Sequence, residues 1–379
     1  MIKSLTVSNY RSLDVGVHLE LDPFTALVGP NGSGKSNAAD VLRFVADAMA
    51  IGLSGAITER EGIKSVRRWS GGHPFNLSIA LDLRLPEGPA RYRFELVGDR
   101  VDEYQVKSEE AEVITGSELH RFVVVGGSWK DGPPGLKPQL DPQSLALPLI
   151  GGDIRFQDLV ATLRRLTVYS IFPDTLRAPQ KYDPAKPMKR HGSNWASILR
   201  DQAAETWKPE LLAALRRLTG DVEDVRVKTA AGYLVTEFLH TSPTTAKAKK
   251  WFAAAQQSDG TLRVAGIVMA LLQEPPLPLI GIEEPELTVH PGAIPLLLDY
   301  LAQAAKQSQV LITTHSPELL NLLKADQVRV VTRPAGGATR IRRIRDDQRE
   351  AVAAGLLSLG DLLTLGDLQG QEALPFEAV

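Results

Sequence analysis

Residues Gly29 to Ser36 have the composition and order of a phosphate-binding loop. They read Gly-Pro-Asn-Gly-Ser-Gly-Lys-Ser and match the pattern G-x-x-x-x-G-K-[ST] in full. Glycines let backbone N–H groups curl around phosphate oxygens, and the helix after such a loop offers further unpaired N–H groups. We expect Lys35 to reach the β- and γ-phosphates of a nucleoside triphosphate and the Ser36 hydroxyl to ligate Mg²⁺. A glycine-rich turn with a surface lysine is the simpler alternative.

A pair of glutamates, Glu283 and Glu284, follows the apolar run Leu277–Ile282. A buried strand that ends in carboxylates puts charge at the edge of the sheet where open α/β sheets bind ligands. Because adjacent residues of a strand point in opposite directions, the two glutamates cannot do the same job. We expect Glu283 to hold Mg²⁺ through its water shell and Glu284 to polarise the attacking water. The alternative is a solvated acidic loop.

Two further groups stand at the ends of predicted elements. His315 follows the apolar strand Val310–Thr314, where it could hydrogen-bond the γ-phosphate or the attacking water; a structural histidine is the alternative. Ser258-Asp259-Gly260 precedes the apolar helix Thr261–Gln273, whose first N–H groups and serine hydroxyl could bind a second anion. By itself, that segment is better explained as an ordinary capped helix.

The helices and strands that position these residues are predicted from two spacings of apolar residues, one typical of strands and one typical of helices. Residues 2–28 predict short strands, and 36–50 a helix. Alternating apolar residues from about residue 75 predict antiparallel strands, and later helical patterns follow. The strands are Leu77–Leu85, Arg91–Val97 and Glu118–Val125; loops are 126–152 and 181–192; helices are Phe156–Leu166 and Trp195–Leu218. The last third alternates helices, including Pro317–Lys324, with continuous apolar strands, which indicates a parallel sheet covered on both faces.

The composition is that of an ordinary globular chain. Its 379 residues include no cysteine, carry a net charge of −2 and are 23% charged. These values exclude a disulfide framework, zinc-finger ligands and a thiol nucleophile, and they argue against wholesale coating of nucleic acid. The N-terminus lacks the apolar core of a signal peptide, and no apolar run approaches the roughly 20 residues of a spanning helix. We therefore expect a cytoplasmic protein without a membrane partner.

Taken in order, the four motifs resemble those of the ABC-type ATPase superfamily. Within it the chain resembles the soluble SMC/RecF/OLD-like branch, often called AAA family ATPases. Asn9-Tyr10-Arg11-Ser12 resembles the N-[FY]-[RK]-[SC] element of that branch, and Ser258 to Arg263 resembles its signature motif. The segment from Glu283 to Pro291 resembles its EEPExxxHP motif. The resemblance covers about residues 1–60 and 250–350.

This resemblance implies a P-loop NTPase head of the ABC type with a parallel sheet core. It does not place the middle of the chain, where the residue patterns predict an antiparallel β-lobe and a compact helical lobe. It implies a head split into residues 1–60 and 251–379 around an insertion at 61–250. ATP and Mg²⁺ would be bound between the subunits of a head-to-tail homodimer, which hydrolysis would reopen. The implied nucleotide-binding residues are Arg11, Ser12, Gly29, Asn31, Gly32, Ser33, Gly34, Lys35, Ser36 and Asn37 of one subunit and Ser258, Asp259 and Gly260 of the other. The implied metal ligands are Ser36 and Glu283, and the implied catalytic residues are Glu284, His315 and Lys35.

Some features depart from the family pattern. Position 283 is Glu where many ABC proteins have Asp, although Glu is usual in this branch. The Q-loop glutamine is not identified; Gln157 and Gln180 are candidates. Prolines and the absence of heptads in residues 60–250 exclude a long coiled coil, and the chain after His315 is too short for an appended Toprim nuclease.

The leading functional hypothesis is an ATP-dependent switch in DNA-related processes, either repair or anti-phage defence, with a separate effector protein such as a nuclease. The alternatives are the nucleotide-binding subunit of a transporter and a clamp that binds ATP without hydrolysis. Three basic groups could contact a DNA or RNA backbone, although solvated loop charge is the favoured explanation for each. They are Arg60, Lys64, Arg67 and Arg68 with Trp69; Lys181, Lys186, Lys189 and Arg190; and Lys247, Lys249 and Lys250 with Trp251.

Overall fold

The computed structural model describes residues 1–70, 73–241, 248–334 and 337–371. The strands are β1 (Ile2–Ser8), β2 (Val17–Glu20), β3 (Phe24–Val28), β4 (Leu77–Arg84), β5 (Pro89–Val97), β6 (Gln105–Thr115), β7 (Glu118–Val125), β8 (Ser128–Asp131), β9 (Leu166–Tyr169), β10 (Val222–Ala230), β11 (Tyr233–Thr241), β12 (Lys249–Ala253), β13 (Leu279–Glu283), β14 (Gln309–Thr314), β15 (Val328–Thr332) and β16 (Arg340–Arg343). The helices are α1 (Lys35–Thr58), α2 (Ile63–Val66), α3 (Leu147–Ile150), α4 (Gln157–Arg164), α5 (Pro173–Arg177), α6 (Trp195–Asp201), α7 (Ala204–Thr219), α8 (Asp259–Leu271), α9 (Ile294–Ala304), α10 (Pro317–Leu320), α11 (Asp346–Ala353) and α12 (Leu359–Thr364).

The chain forms two compact units. The first unit consists of Met1–Thr167 and Lys324–Val379, and the second of Val168–Leu323. The predicted division into a split head and an insertion at 61–250 stays a prediction.

An antiparallel sheet of seven strands dominates the first unit, in the order β2-β1-β4-β5-β6-β7-β8. The alternation that predicts β4 is confirmed, because every second residue from Leu77 to Leu83 is buried. Strand β6 escapes prediction because charged residues interrupt its pattern: Glu109 is buried against Tyr92, and Glu110 pairs with Arg121. These two glutamates of β6 therefore have hydrogen-bond partners on the neighbouring strands of this sheet.

Parallel pairing occurs in both units. In the first unit β3 pairs in parallel with β15, and β16 pairs antiparallel with β15. In the second unit β13 pairs in parallel with β14. Every residue of β3, β13 and β14 is buried, which explains why these strands are continuous apolar runs.

Helix α1 is longer than predicted. The sequence predicts a helix at 36–50, whereas α1 extends from Lys35 to Thr58 and is interrupted by Gly52, which has φ +79°. Among the described residues it is the one helix long and apolar enough to cross a membrane, but more than half of its apolar window is buried inside the fold. Its apolar residues are therefore those of a core helix.

Several predictions for the second unit need correction. The predicted helix Trp195–Leu218 is two helices, α6 and α7, separated at Gln202, whose side chain donates to Leu272 O at 2.5 Å. Helix α10 ends at Leu320 rather than Lys324. The antiparallel sheet β10-β11-β12 was not predicted at all, because its strands mix charged residues with few buried apolar ones.

Candidate nucleotide site

The loop between β3 and α1 in the first unit has a backbone that glycine alone permits. Gly34 has φ +106° and Gly32 has φ +76°, both in the region that side chains rarely adopt. At Gly29, a Cβ atom would lie 2.1 Å from Val331 O on β15. The three glycines of the motif are therefore required by the backbone path and by the neighbouring strand.

Lys35 lies inside this loop. Its Nζ donates to Gly29 O at 2.7 Å and to Pro30 O at 3.2 Å, and the residue is 5% exposed. Asn31, Gly32 and Ser36 are exposed at the rim of the loop and the first turn of α1. The loop thus holds a buried ammonium group beside an accessible hydroxyl at a helix N-terminus.

Ser12 and Asn37, both predicted to lie near the nucleotide, contact each other. Asn37 Nδ2 donates to Ser12 Oγ at 2.7 Å. Ser12 Oγ also lies 2.8 Å from Thr339 Oγ1, and Thr339 donates to Ser33 O at 2.7 Å. The structure therefore brings these side chains together against the loop backbone, through a residue, Thr339, that no motif signalled.

Arg11 belongs to a buried charge cluster beside α1. Its Nη2 lies 3.2 Å from Asp40 Oδ2, and Asp40 also contacts Arg60, Arg43 and the hydroxyl of Tyr10. Burial alone would raise the pKa of Asp40, but the arginines, Arg60 foremost, hold it below its ordinary value. Arg11 has φ +49°, so its backbone is held in a strained conformation next to this cluster.

The acidic strand end in the second unit is strained at one residue. Glu284 has φ +44°, and its backbone N–H donates to Thr313 O at 2.9 Å. Arg263 on α8 donates from Nη2 to Glu283 O at 2.9 Å and to Glu284 O at 2.7 Å. Arg263 is buried, and burial lowers the pKa of its guanidinium. A charged residue within an otherwise apolar helix was the sequence signal for this support, and it was missed.

His315 and Glu284 are brought together. His315 Nδ1 lies 3.1 Å from Glu284 Oε1, and the histidine is exposed while the glutamate is half-buried. The nearby Thr314 Oγ1 donates to Glu286 Oε1 at 2.5 Å, and burial raises the pKa of Glu286. The accessible carboxylate of this segment is thus Glu284, with an imidazole as its partner.

Glu283 forms an ion pair with Arg190, a residue that the sequence offers as a possible nucleic-acid contact. Arg190 Nη2 donates to Glu283 Oε2 at 2.7 Å, and Glu283 is 8% exposed. In the sequence, Arg190 stands among the basic residues of the predicted 181–192 loop. The structure instead places its guanidinium on the carboxylate predicted to hold Mg²⁺.

The start of α8 combines a helix cap with an exposed surface. Ser258 Oγ accepts from Thr261 N at 3.2 Å, so Ser258 is the N-cap. Asp259 Oδ1 accepts from Arg177 Nη2 at 2.5 Å, and a Cβ atom at Gly260 would lie 3.1 Å from Thr288 O. Ser258 and Asp259 are exposed, so this motif is accessible on the second unit.

Most cations of the three basic groups are already paired inside their own units. Arg60 is buried between Asp40 and Asp47, and Arg68 pairs with Asp14. In the other groups, Lys189 pairs with Asp183 and Lys249 with Glu223, while Lys247 lies outside the described residues. These clusters therefore offer less unpaired charge to nucleic acid than the sequence suggests.

Of the two Q-loop candidates, Gln180 is a structural residue. Its Nε2 donates to Gly192 O at 2.8 Å and to Thr175 O at 3.0 Å, and its Oε1 accepts from Ala196 N at 3.0 Å. Gln157 is exposed at the start of α4. The contacts of Gln180 hold the segment between α5 and α6.

The residues present fit a phosphate group and, with it, Mg²⁺. The loop offers a backbone that turns at glycines of positive φ, a buried ammonium and the first N–H groups of α1, which together are the donor set for phosphate oxygens. Within the described residues no group of three or more His, Asp or Glu is arranged to hold a metal by itself. Mg²⁺ is usually bound by one or two protein oxygens together with phosphates and waters, and the exposed hydroxyl of Ser36 is an oxygen of that kind.

A family described as "AAA domain, putative AbiEii toxin, Type IV TA system" matches residues 24–135 and 174–321, more than half of the chain. These ranges contain the phosphate loop, the Ser258 motif, the acidic strand end and His315. The chain belongs to this family. It is an ATP-binding ATPase domain of the SMC/ABC-like branch, as the motifs predict.

Named relatives match a small part of the chain. "Chromosome partition protein Smc" of Mycobacterium tuberculosis (strain ATCC 25618 / H37Rv) is 45% identical over 62 residues, which are 16% of this chain and 5% of that protein. The protein of the same name from Mycolicibacterium paratuberculosis (strain ATCC BAA-968 / K-10) matches to the same extent. The matched stretch thus spans about 5% of the length of these curated relatives.

Solved structures match almost the whole chain. A structure of "the SmcHead bound to the C-winged helix domain of ScpA" has a TM-score of 0.57 at 15% identity and covers 92% of this chain and 99% of that chain. An Smc head domain with an extended coiled coil, bound to the C-terminal domain of ScpA derived from Pyrococcus furiosus, has a TM-score of 0.51 at 12% identity and covers 94% and 99%. At these identities the likeness shows the fold alone, and it confirms the predicted α/β P-loop NTPase head.

Proposed function

We propose that this protein hydrolyses ATP, with Glu284 as the general base and His315 as its partner. The observation that carries the proposal is the Glu284–His315 pair, in which an accessible carboxylate on a strained backbone faces an imidazole at 3.1 Å. Strain of this kind is maintained where the surrounding structure over-determines it, here by Thr313 and Arg263. The presence of this pair argues against the alternative of a clamp that binds ATP without turnover.

In this proposal the phosphate loop binds the nucleotide. Lys35, Ser33, Gly34 and the other loop residues contact phosphates, Arg11, Ser12 and Asn37 lie near the nucleotide, and Ser36 and Glu283 hold Mg²⁺. The bound metal supplies charge stabilisation on the phosphate oxygens. Arg190 keeps the Glu283 carboxylate oriented by donating a hydrogen bond from Nη2 to Oε2 at 2.7 Å.

We further propose a head-to-tail homodimer in which Ser258, Asp259 and Gly260 of one subunit contact the γ-phosphate held by the other. The exposed position of this motif and its helix N-terminus support that role. As a cytoplasmic switch, the dimer would act in DNA repair or anti-phage defence with a separate effector. Support comes from the family description, which refers to a toxin–antitoxin system, and from the Smc name of the matched relatives.

The test compares three purified proteins: wild type, Lys35→Ala and Glu284→Gln. We expect Lys35→Ala to lose ATP binding, whereas Glu284→Gln binds ATP, hydrolyses it at least about a hundredfold more slowly and accumulates as a dimer in light scattering. Wild-type turnover in Glu284→Gln would remove Glu284 from the mechanism. A monomeric Glu284→Gln protein at saturating ATP would remove the dimer and leave the ATPase proposal intact.

A further inference from the structure

Thr339 lies against the phosphate loop without belonging to any motif. It directly precedes β16 and is 0% exposed. Its N–H donates to Ser12 O at 2.7 Å, and its own carbonyl accepts from Asp14 N at 3.3 Å. Its backbone is therefore fixed on both sides, so its side chain has a defined position.

The side chains around Thr339 form a directed chain of hydrogen bonds. Asn37 Nδ2 can only donate, and it bonds to Ser12 Oγ; Ser33 O can only accept, and it receives the proton of Thr339 Oγ1. With both ends fixed, the 2.8 Å contact between Ser12 Oγ and Thr339 Oγ1 must be donated by Ser12. Each hydroxyl then donates once and accepts once, an arrangement in which bonds strengthen one another.

This chain ends on a peptide group of the phosphate loop. The Thr339 hydroxyl holds the carbonyl of Ser33, and in a planar trans peptide the N–H of the next residue, Gly34, points to the opposite side. The Thr339 hydroxyl approaches this peptide so closely that residue 34 must be glycine, because a Cβ atom there would lie 2.2 Å from Thr339 Oγ1. Holding the carbonyl therefore fixes the direction of the Gly34 N–H.

We propose that Thr339 is a positioning residue for nucleotide binding, which orients the Ser33–Gly34 peptide so that the Gly34 N–H is presented to a phosphate group of the nucleotide. This inference rests on the proposed function of the loop. Loss of the hydroxyl leaves the buried Ser33 carbonyl without its donor and frees the peptide to rotate, which weakens binding of ATP and ADP. Adenosine, which has no phosphate, is unaffected.

The experiment measures equilibrium affinities of ATP, ADP and adenosine by calorimetry for Thr339→Val and Thr339→Ser. Valine matches threonine in shape but has no hydroxyl, whereas serine keeps it. We expect Thr339→Val to weaken ATP and ADP binding about tenfold and to raise KM with kcat unchanged, since one buried hydrogen bond is lost. Thr339→Ser should stay within about twofold of wild type.

The matched control is Thr236→Val, because Thr236 Oγ1 is buried in β11 without a hydrogen-bond partner in the described part of the chain. Unchanged affinity in Thr339→Val, or an equal loss in Thr339→Ser, overturns the inference while wild-type ATP binding still supports the proposed function. Should Thr339→Val fail to fold, Thr339→Ala with Thr236→Ala as its match takes its place, with the same outcomes. Absence of ATP binding in the wild type would overturn the proposed function itself.

Discussion

Two carboxylates near the candidate chemistry, Asp40 in the first unit and Glu284 in the second, have opposite surroundings. Asp40 is buried, with Arg11, Arg43, Arg60 and Tyr10 around it. Glu284 is half-buried on a strained backbone and shares one contact with an exposed histidine. A carboxylate that stabilises a folded core has all its charge paired and is shielded from solvent. A carboxylate that reacts must be accessible, and strained backbone is typical of such sites. The comparison therefore separates a carboxylate with the surroundings of a stabilising residue from one that we propose to act in chemistry.

The largest effect that tests this comparison is on turnover. Glu284→Gln should lower kcat by about 10²–10⁴-fold, because the proposed general base is lost, while the free energy of unfolding changes little. Steady-state phosphate release and urea unfolding measure the two quantities. Glu318→Gln, which affects a carboxylate that accepts from Ser316 Oγ, serves as the control and should retain turnover.

Asp40→Ala should have the converse effect. Removing this carboxylate leaves Arg60 buried without its main partner, so we expect the free energy of unfolding to fall by about 3–5 kcal/mol. Urea denaturation measures it, with Asp102→Ala as the control, since Asp102 is exposed and lies 3.8 Å from Lys64. A well-folded Asp40→Ala protein of wild-type stability would contradict the structural role.

Glu109 adds a third carboxylate to the comparison, one that forms no ion pair with a cation in the described part of the chain. It accepts from Tyr92 Oη and from the N–H groups of Ala146 and Leu147, and burial raises its pKa to about 7. Between the ordinary pKa of 4.5 and about 7, the unfolded chain releases this proton while the folded chain retains it. The free energy of unfolding should therefore fall by about 3 kcal/mol as pH rises through that window.

Glu109→Gln should remove this contribution, which urea titrations at several pH values between 4.5 and 7 would detect. Glu118→Gln is the control, because Glu118 is exposed on the neighbouring strand β7. An identical pH dependence in wild type and Glu109→Gln would show that Glu109 is ionised in the folded protein.

The smallest effect is expected at Asp259. Its pair with Arg177 is largely exposed, so Asp259→Asn should change the free energy of unfolding by less than about 0.5 kcal/mol. If Asp259→Asn nevertheless reduces the ATP-dependent dimer measured by light scattering, lost stability does not explain the reduction. The proposed contact of Asp259 with the nucleotide would then explain it. A stability loss comparable to that of Asp40→Ala would place Asp259 with the structural carboxylates.

Much of the fold follows from local patterns. Strand β3, the loop and α1 are specified by an apolar run, by glycines and by helix-forming residues, and β4 by strict alternation. Local patterns do not specify the sheet β10-β11-β12 or strand β6, because their charged residues become compatible with strands only through partners on the neighbouring strand. The predicted site residues remain predictions in their chemical roles, although His315 and Glu284 do meet.

The phosphate loop, the acidic strand end and their order along the chain follow from the sequence, since glycine spacing and apolar runs are local properties. The tertiary structure alone decided that Arg190 holds Glu283, that Arg263 supports Glu284 and that Thr339 reaches the loop from a position more than 300 residues away in the chain. These partners are single polar side chains with no periodic pattern, and their roles come from the space in which folding places them.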